Sequence, residues 1–265
     1  MRKLVIMALV GLSFICCSKA QNGTTAIVAH RGFWNCEAAG YSENSIASLK
    51  AAQENGFWGS ECDVQLTADN IAMINHDPHI GLAKISNHSY AELKDSLLPN
   101  GEHRPTFDEY LAQAATCKTT KLIIEVKPQN DDLRDSILVS KIINSLKEQN
   151  MYSPERVGFI SFSLYTCKLI ARIAPEFLNQ YLNGELSPSS LDSLGINGLD
   201  YRKGILIKKH PEWIEQAHSL GMSTNAWTVN KEDEIQKLID LKVGAITSNE
   251  PLLVRQLLGD KEIKN

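Results

Sequence analysis

Short apolar runs recur along the chain, each followed by a polar cluster and then by a stretch whose apolar residues repeat at helical spacing. Eight runs read as strands: Ala26–His30, Gly59–Leu66, Ile71–His76, Lys121–Lys127, Val157–Phe162, Leu178–Leu182, Ser223–Trp227 and Gly244–Thr247. Short apolar runs bounded by turn residues suit buried strands. Gly204–Lys208 is a marginal further candidate inside a stretch, 183–210, with no clear pattern. Between the runs, Ile46, Leu49 and Ala52 share a helix face, with Asn44 or Ser45 able to cap it and Gly56 ending it. Thr106 with Glu109 three residues on is a capping box. Further helices are predicted over Leu133–Gln149, Leu164–Ile173, Pro211–Leu220 and Glu232–Leu241, and Pro251–Leu258 closes the chain. Residues 77–106 read as irregular, with a short helix near Tyr90–Leu97.

Strand and helix alternate without a linker, a low-complexity stretch or a fixed repeat. That order predicts a parallel sheet with helical crossovers. Eight strands favour a closed α/β barrel, the TIM (β/α)8 architecture, in one domain over residues 25–258. The chain's 265 residues are enough for one such barrel.

The first twenty residues read differently. Arg2 and Lys3 precede an apolar run from Leu4 to Ile15, and small polar residues follow. That is the layout of a secretory signal peptide spanning 1–20, too short for a membrane span. Two exits are open. Ser18-Lys19-Ala20 suits cleavage before Gln21, and Cys16-Cys17-Ser18 resembles a bacterial lipoprotein signal with Cys17 acylated. The protein is therefore expected to be exported, either periplasmic or membrane-anchored through Cys17. Of six cysteines, Cys36, Cys62, Cys117 and Cys167 remain after processing, with no C-x-x-C or zinc spacing, and are expected as free thiols. The net charge of −4, without a basic run, argues against nucleic acid as a partner. No G-x-G-x-x-G or P-loop pattern is present, which removes the usual nucleotide readings.

Candidate chemistry gathers between His30 and Asp77. Glu61 and Asp63 lie two apart on one strand and so face one side, with Cys62 facing the other. His30 and His76 each end an apolar run, where an α/β barrel places its active site. Glu61, Asp63 and Glu125 supply hard oxygen ligands that suit Ca²⁺ or Mg²⁺. The histidines are candidates for acid and base in cleaving a phosphodiester, with His76 favoured as the acid. Arg31 and Lys127 are candidate phosphate clamps; a salt bridge to Glu43 is the structural alternative for Arg31. Phe162 and Trp227 are candidates for the substrate mouth, although aromatics at strand ends more often belong to the core. The remaining histidines read as surface residues.

Taken together, His30-Arg31-Gly32, Glu43-Asn44-Ser45, Glu61-Cys62-Asp63-Val64-Gln65-Leu66-Thr67, His76-Asp77 and Glu125-Val126-Lys127 resemble the glycerophosphodiester phosphodiesterase family. Its pattern runs H-R-G, P-E-N-T, E-x-D-V-x-x-T-x-D-G, H-D and E-x-K. Ile160-Ser161-Phe162 and Trp227-Thr228-Val229-Asn230 extend the match, which covers roughly Ala26 to Leu258. Ser42, Ser45 and Asn70 depart from the pattern at Pro, Thr and Gly, and bear on substrate fit.

The resemblance implies Glu61, Asp63 and Glu125 as ligands of one divalent cation. It implies hydrolysis of glycerophosphodiesters, such as glycerophosphocholine or glycerophosphoethanolamine, to glycerol 3-phosphate and an alcohol. Glu43, at the family's E-N-T position, is expected to orient Arg31 from just outside the site, with Asn44 beside it. Two rivals are weighed. A phospholipase C- or D-like enzyme would show an exposed apolar rim, hinted at by Phe33-Trp34 and Phe57-Trp58. A non-catalytic barrel binding a phosphorylated ligand would lack a histidine or a carboxylate, and none is missing.

Overall fold

The computed structural model describes residues 25–259; the expected signal peptide and Cys17 lie outside them. Eight parallel strands close on themselves. These are β1 (Ala26–Ala29), β2 (Gly59–Leu66), β6 (Lys121–Val126), β7 (Val157–Ser161), β8 (Leu178–Tyr181), β9 (Gly198–Arg202), β10 (Ser223–Trp227) and β11 (Ala245–Ser248). Closure comes from β1, which pairs with β11 along its length and with β2 at Val28–Gly59 and Ala29–Ser60.

Strand alternation sorts the side chains. On β2, Ser60, Cys62, Val64 and Leu66 alternate with Glu61, Asp63 and Gln65. Cys62 packs in a buried layer with Leu49 of α1 (Ile46–Glu54), Phe107 and Leu111 of α3 (Phe107–Ala115) and Leu138 of α4 (Asp132–Glu148). It therefore faces the helices, as the strand period requires. Inside the barrel, Val28, Ile123 and Ile160 form a smaller apolar cluster. A polar half faces it, in which Asn225 Nδ2 donates to Thr247 Oγ1 at 2.8 Å. On the far side, α5 (Leu164–Ile173), α7 (Glu212–Ser219), α8 (Glu232–Asp240) and α9 (Pro251–Leu257) cover the outer faces of β8 to β11 and β1.

Local signals set most helix starts. Ser45 caps α1 by accepting from the Ser48 amide, and Thr106 with Glu109 completes the capping box of α3. Cys36, Cys62, Cys117 and Cys167 are free thiols, with Cys62 and Cys167 buried.

Two expectations fail, and both failures concern the strand count. Ile71–His76 is not the third barrel strand. Its ordered part, β3 (Ala72–Ile74), runs antiparallel beside Val64–Leu66 of β2 on the barrel's outside. Residues 67–71 turn the chain back at once, with Asn70 at φ 60°. A parallel neighbour needs a crossover of a dozen or more residues. The missing barrel strand is β9, within the stretch that showed no pattern. Leu199 and Tyr201 pack outward against the helices, while Asp200 stays buried on the opposite face. With only two apolar side chains in GLDYR, the run escapes a hydropathy reading. Gly204–Lys208, the marginal candidate, falls instead in a π-helical turn over Ile205–Lys209.

The segment between β3 and α3 is an excursion outside the barrel. It holds the hairpin of β4 (His79–Ile80) and β5 (Ala83–Lys84) and the single turn α2 (Tyr90–Leu93). Met73, Ile80, Ile85 and Leu93 give it a small core of its own. Ile74 donates its amide to the Pro105 carbonyl at 2.9 Å, which fastens the segment's end against β3.

Candidate active site

The chain turns sharply after β1. Arg31 adopts φ 54°, a left-handed conformation costing a non-glycine residue about 1–2 kcal/mol. Three contacts hold the turn: Arg31 N–H donates to Glu61 Oε2 at 2.7 Å, Gly32 N–H to the Glu61 carbonyl at 3.0 Å, and Asn44 N–H to the Arg31 carbonyl at 2.9 Å. Gly32 is required here, because a Cβ would lie 2.2 Å from Ser48 Oγ. The strained turn carries His30 and Arg31 over the ends of the neighbouring strands.

Glu61, Asp63 and Glu125 come together there, each buried, with one carboxylate oxygen apiece lying within 4.8 Å of the others. Register explains it: β2 pairs with β6 so that Asp63 stands opposite Glu125, and Glu61 lies one inward position earlier. Burial, then Asp63 and Glu125, pushes the Glu61 carboxyl well above its ordinary value. Burial and Asp63 likewise raise Glu125 to about 7. Asp63 behaves oppositely. Burial acts to raise it, but Lys127, His76, the Asn44 hydrogen bond and Arg31 together hold it at about 2.

The cluster fits a divalent cation. Glu61 Oε1 is buried without a hydrogen-bond partner, and three carboxylates this close repel one another until a cation sits among them. The donors are all oxygen, as hard cations require.

Arg31 and Lys127 brace the acids. Lys127 Nζ lies 2.8 Å from Glu125 Oε1 and 3.0 Å from Asp63 Oδ1. Arg31 makes the salt bridge to Glu43 at 2.6 Å, and its Nε lies 3.6 Å from Asp63 Oδ2. Asn44, itself at φ 57°, donates to Asp63 Oδ2 at 2.8 Å and accepts from the Asp63 amide at 3.2 Å.

The two histidines are held differently. His30 Nδ1 lies 2.7 Å from Asn249 Oδ1. The same oxygen accepts from Trp34 Nε1 at 3.3 Å, so it is an acceptor and His30 Nδ1 carries the proton. Burial, with Arg31 beside it, lowers His30 to about 4, leaving a neutral ring with its lone pair on Nε2. His76 Nδ1 donates to Asp77 Oδ1 at 2.7 Å, and its side chain is 37% exposed. It lines a cavity of about 440 Å³ shared with Trp34, Glu43, Asn75 and Arg104. Phe162 and Trp227 pack edge to face with ring centroids 5.5 Å apart, partly buried above the interior cluster.

Three residues of this neighbourhood carried no role in the sequence reading. Asn249 follows β11 in the polar run Ser248-Asn249-Glu250, a strand-end signal that was legible. Asp77 is the second half of the His-Asp pair. Arg104 gave no signal: it lies in the irregular segment, where only folding brings it beside Asn75. The apolar hint at Phe33-Trp34 and Phe57-Trp58 is corrected. Phe33 and Phe57 are core residues in edge-to-face contact, and Trp58 lies under Lys121 at the start of β2; of the four, only Trp34 reaches the cavity.

Fold and site define a (β/α)8 barrel with a buried three-carboxylate centre flanked by two histidines, His30 at the end of β1 and His76 just beyond β3. A sequence model of the Glycerophosphoryl diester phosphodiesterase family matches residues 30–253, and the chain belongs to that family. It is accordingly a phosphoric diester hydrolase. A glycerophosphodiester phosphodiesterase from Parabacteroides distasonis is similar in structure, with a TM-score of 0.86 and 39% identity, covering 89% of this chain and 97% of that one. One from Caldanaerobacter subterraneus is 25% identical over 241 residues, 86% of this chain and 95% of its own length. An Oleispira antarctica phosphodiesterase, solved with the product sn-glycerol-3-phosphate, has a TM-score of 0.73 at 22% identity, over 89% of this chain and 97% of that one.

Proposed function

We propose that the protein hydrolyses glycerophosphodiesters to glycerol 3-phosphate and an alcohol, with His30 as base, His76 as acid and a divalent cation held by Glu61, Asp63 and Glu125. The observation that carries this reading is two histidines in opposite settings flanking one buried acid cluster. His30 Nε2 takes the proton of the attacking hydroxyl, whether water or a neighbouring hydroxyl of the glycerol. The new O–P bond forms as the bond to the alcohol breaks, and His76 delivers a proton to the departing oxygen. Asp77, on Nδ1, orients that ring so that Nε2 faces the leaving group. Bound to the three carboxylates, Ca²⁺ or Mg²⁺ would offset the charge building on the phosphoryl oxygens. Lys127 and Arg31 hold the acids in place and add positive charge beside the diester.

The test is a panel of glycerophosphodiesters with the phosphate product identified by NMR. Glycerol 3-phosphate is expected from each, with activity lost in EDTA and restored by Ca²⁺ or Mg²⁺. Full turnover in excess chelator, with metal absent by elemental analysis, would overturn the cation's part.

A lipid substrate has one observation in its favour. Tyr41 lines the same cavity and is 60% exposed, and Leu82 and Leu97, each next in the chain to a lining residue (Gly81, Leu98), are exposed at 102% and 59%. Including a lysophospholipid in the panel decides it, since faster turnover of the lipid would replace the water-soluble substrate.

Export is part of this proposal too, resting on the basic start and apolar run of residues 1–20 alone. Mass spectrometry of the mature N-terminus distinguishes a free end at Gln21 from an acylated Cys17.

A further inference from the structure

The acid delivers its proton where the alcohol departs, so the cavity lined by His76 is where the leaving alcohol lies. Its charges say what that alcohol carries. Glu43 is neutralised by Arg31 at 2.6 Å. Asp77 touches His76 at one oxygen and is otherwise open, its side chain 74% exposed. Arg104 is the group with unmet donors: Glu43 and Asp77 act on its charge from a distance, but it makes no ion pair among the described residues. Its Nη1 donates to Asn75 Oδ1 at 2.6 Å. None of its other N–H groups has an acceptor among the described residues, and its Nε is buried. A guanidinium offers five donors in a planar fork matched to a carboxylate, and the structure meets one of them.

Arg104 is also held in place. Tyr90 Oη donates to its carbonyl at 2.9 Å, and the next residue, Pro105, accepts from the Ile74 amide at 2.9 Å. Asn75, which receives the guanidinium, donates its amide to the Asp63 carbonyl at 3.0 Å, so Arg104 is tied through one residue to the strand that carries Asp63.

We propose that Arg104 sets the head-group preference, and that the favoured leaving alcohol carries both a carboxylate and an ammonium, as in glycerophosphoserine. The carboxylate pairs with the open fork of Arg104, and the ammonium with Asp77. An alcohol that is only cationic meets Asp77 but leaves the donors of Arg104 unmet. One that is only anionic meets Arg104 but faces the open carboxylate of Asp77. A neutral polyol uses neither charge.

This inference rests on the hydrolytic reading above, and its test separates the two. Values of kcat/KM are measured for glycerophosphoserine, glycerophosphoethanolamine and glycerophosphocholine on the wild type, Arg104→Gln and Arg104→Lys. Glutamine keeps a donor for Asn75 and loses the charge; lysine keeps the charge and loses the fork. Wild type is expected to prefer the serine diester over the ethanolamine diester by about tenfold or more, as a charge-assisted pair allows. In Arg104→Gln that ratio should collapse to near one, mainly through KM, with Arg104→Lys between. Because the ratio is read within one preparation, a smaller folded fraction cancels. A wild-type ratio at or below one, or a ratio unchanged in Arg104→Gln, overturns the inference while leaving the hydrolase reading intact. Absence of turnover on all three diesters overturns both.

Discussion

The two histidines flank the same acid cluster from unlike ground. His30 sits at the end of β1, on a strained turn, fixed by Asn249, which directly follows β11. It is part-buried, and burial holds it neutral down to about pH 4. His76 lies beyond β3, outside the barrel, and leans on the exposed carboxylate next to it. Water reaches it, and so does whatever occupies the cavity. The contrast teaches a division of labour. A ring kept neutral in a rigid frame suits taking a proton in a fixed geometry. A ring at the rim, backed by a carboxylate, suits giving a proton to alcohols of different shapes.

The largest expected effect tests what the two sides share. Glu61→Gln removes one carboxylate of the shared acid cluster, and activity should fall to the detection limit on every diester, natural or activated, with the fold intact by circular dichroism. Retained activity on either kind would mean that the acid cluster is not the centre. Next comes the contrast itself. His76→Ala should lose about 10²–10⁴-fold on glycerophosphocholine, whose leaving alkoxide needs a proton, and far less on a nitrophenyl diester, whose phenolate does not. His30→Ala should lose heavily on both, since the proposed base serves the nucleophile whichever group leaves. The reverse pattern would exchange the two roles.

Asn249→Ala is a milder cut into the barrel side. It frees His30 Nδ1 and leaves Trp34 Nε1 without its acceptor. A loss of about tenfold is expected, the worth of one buried hydrogen bond, and equal on natural and activated substrates because only the base is disturbed. The smallest effect concerns pH. With His30 lowered to about 4, its ring is still mostly neutral at pH 5, where an ordinary histidine is almost wholly protonated. The neutral ring, and with it the proposed base, is lost as pH falls through about 4. At saturating cation, kcat/KM for the nitrophenyl diester should therefore change by less than about threefold between pH 7 and 5. A tenfold fall per unit beginning at 6.5 would show that His30 is not the group so held.

Most of the candidate site was legible because its residues sit at strand ends within short motifs. Glu61 and Asp63 face one way through strand alternation alone, and the capping signals at Ser45 and Thr106 located α1 and α3. The barrel strand β9 was hidden for the opposite reason. Part of the barrel interior is polar, with Asn225 bonded to Thr247 beside Asp200, so its inward residues lack the apolar signature that marks a buried strand. Ile71–His76 misled because three β-branched or aliphatic positions pair as well antiparallel on the outside as parallel within.

What the chain determined by itself was local. It set the alternating elements, their caps, the same-side placement of the two strand carboxylates, and the polar clusters at strand ends. Tertiary structure decided which distant groups meet. Barrel closure put Asn249 on His30 across 219 positions, and strand register put Glu125 beside Asp63. The return of the outer segment along β3 put Arg104 on Asn75. The physical reason is that periodicity reports the direction in which a side chain leaves its own strand. The partner it finds, and the burial that moves the carboxyls of Glu61 and Glu125 up and His30 down, exist only once the sheet has closed.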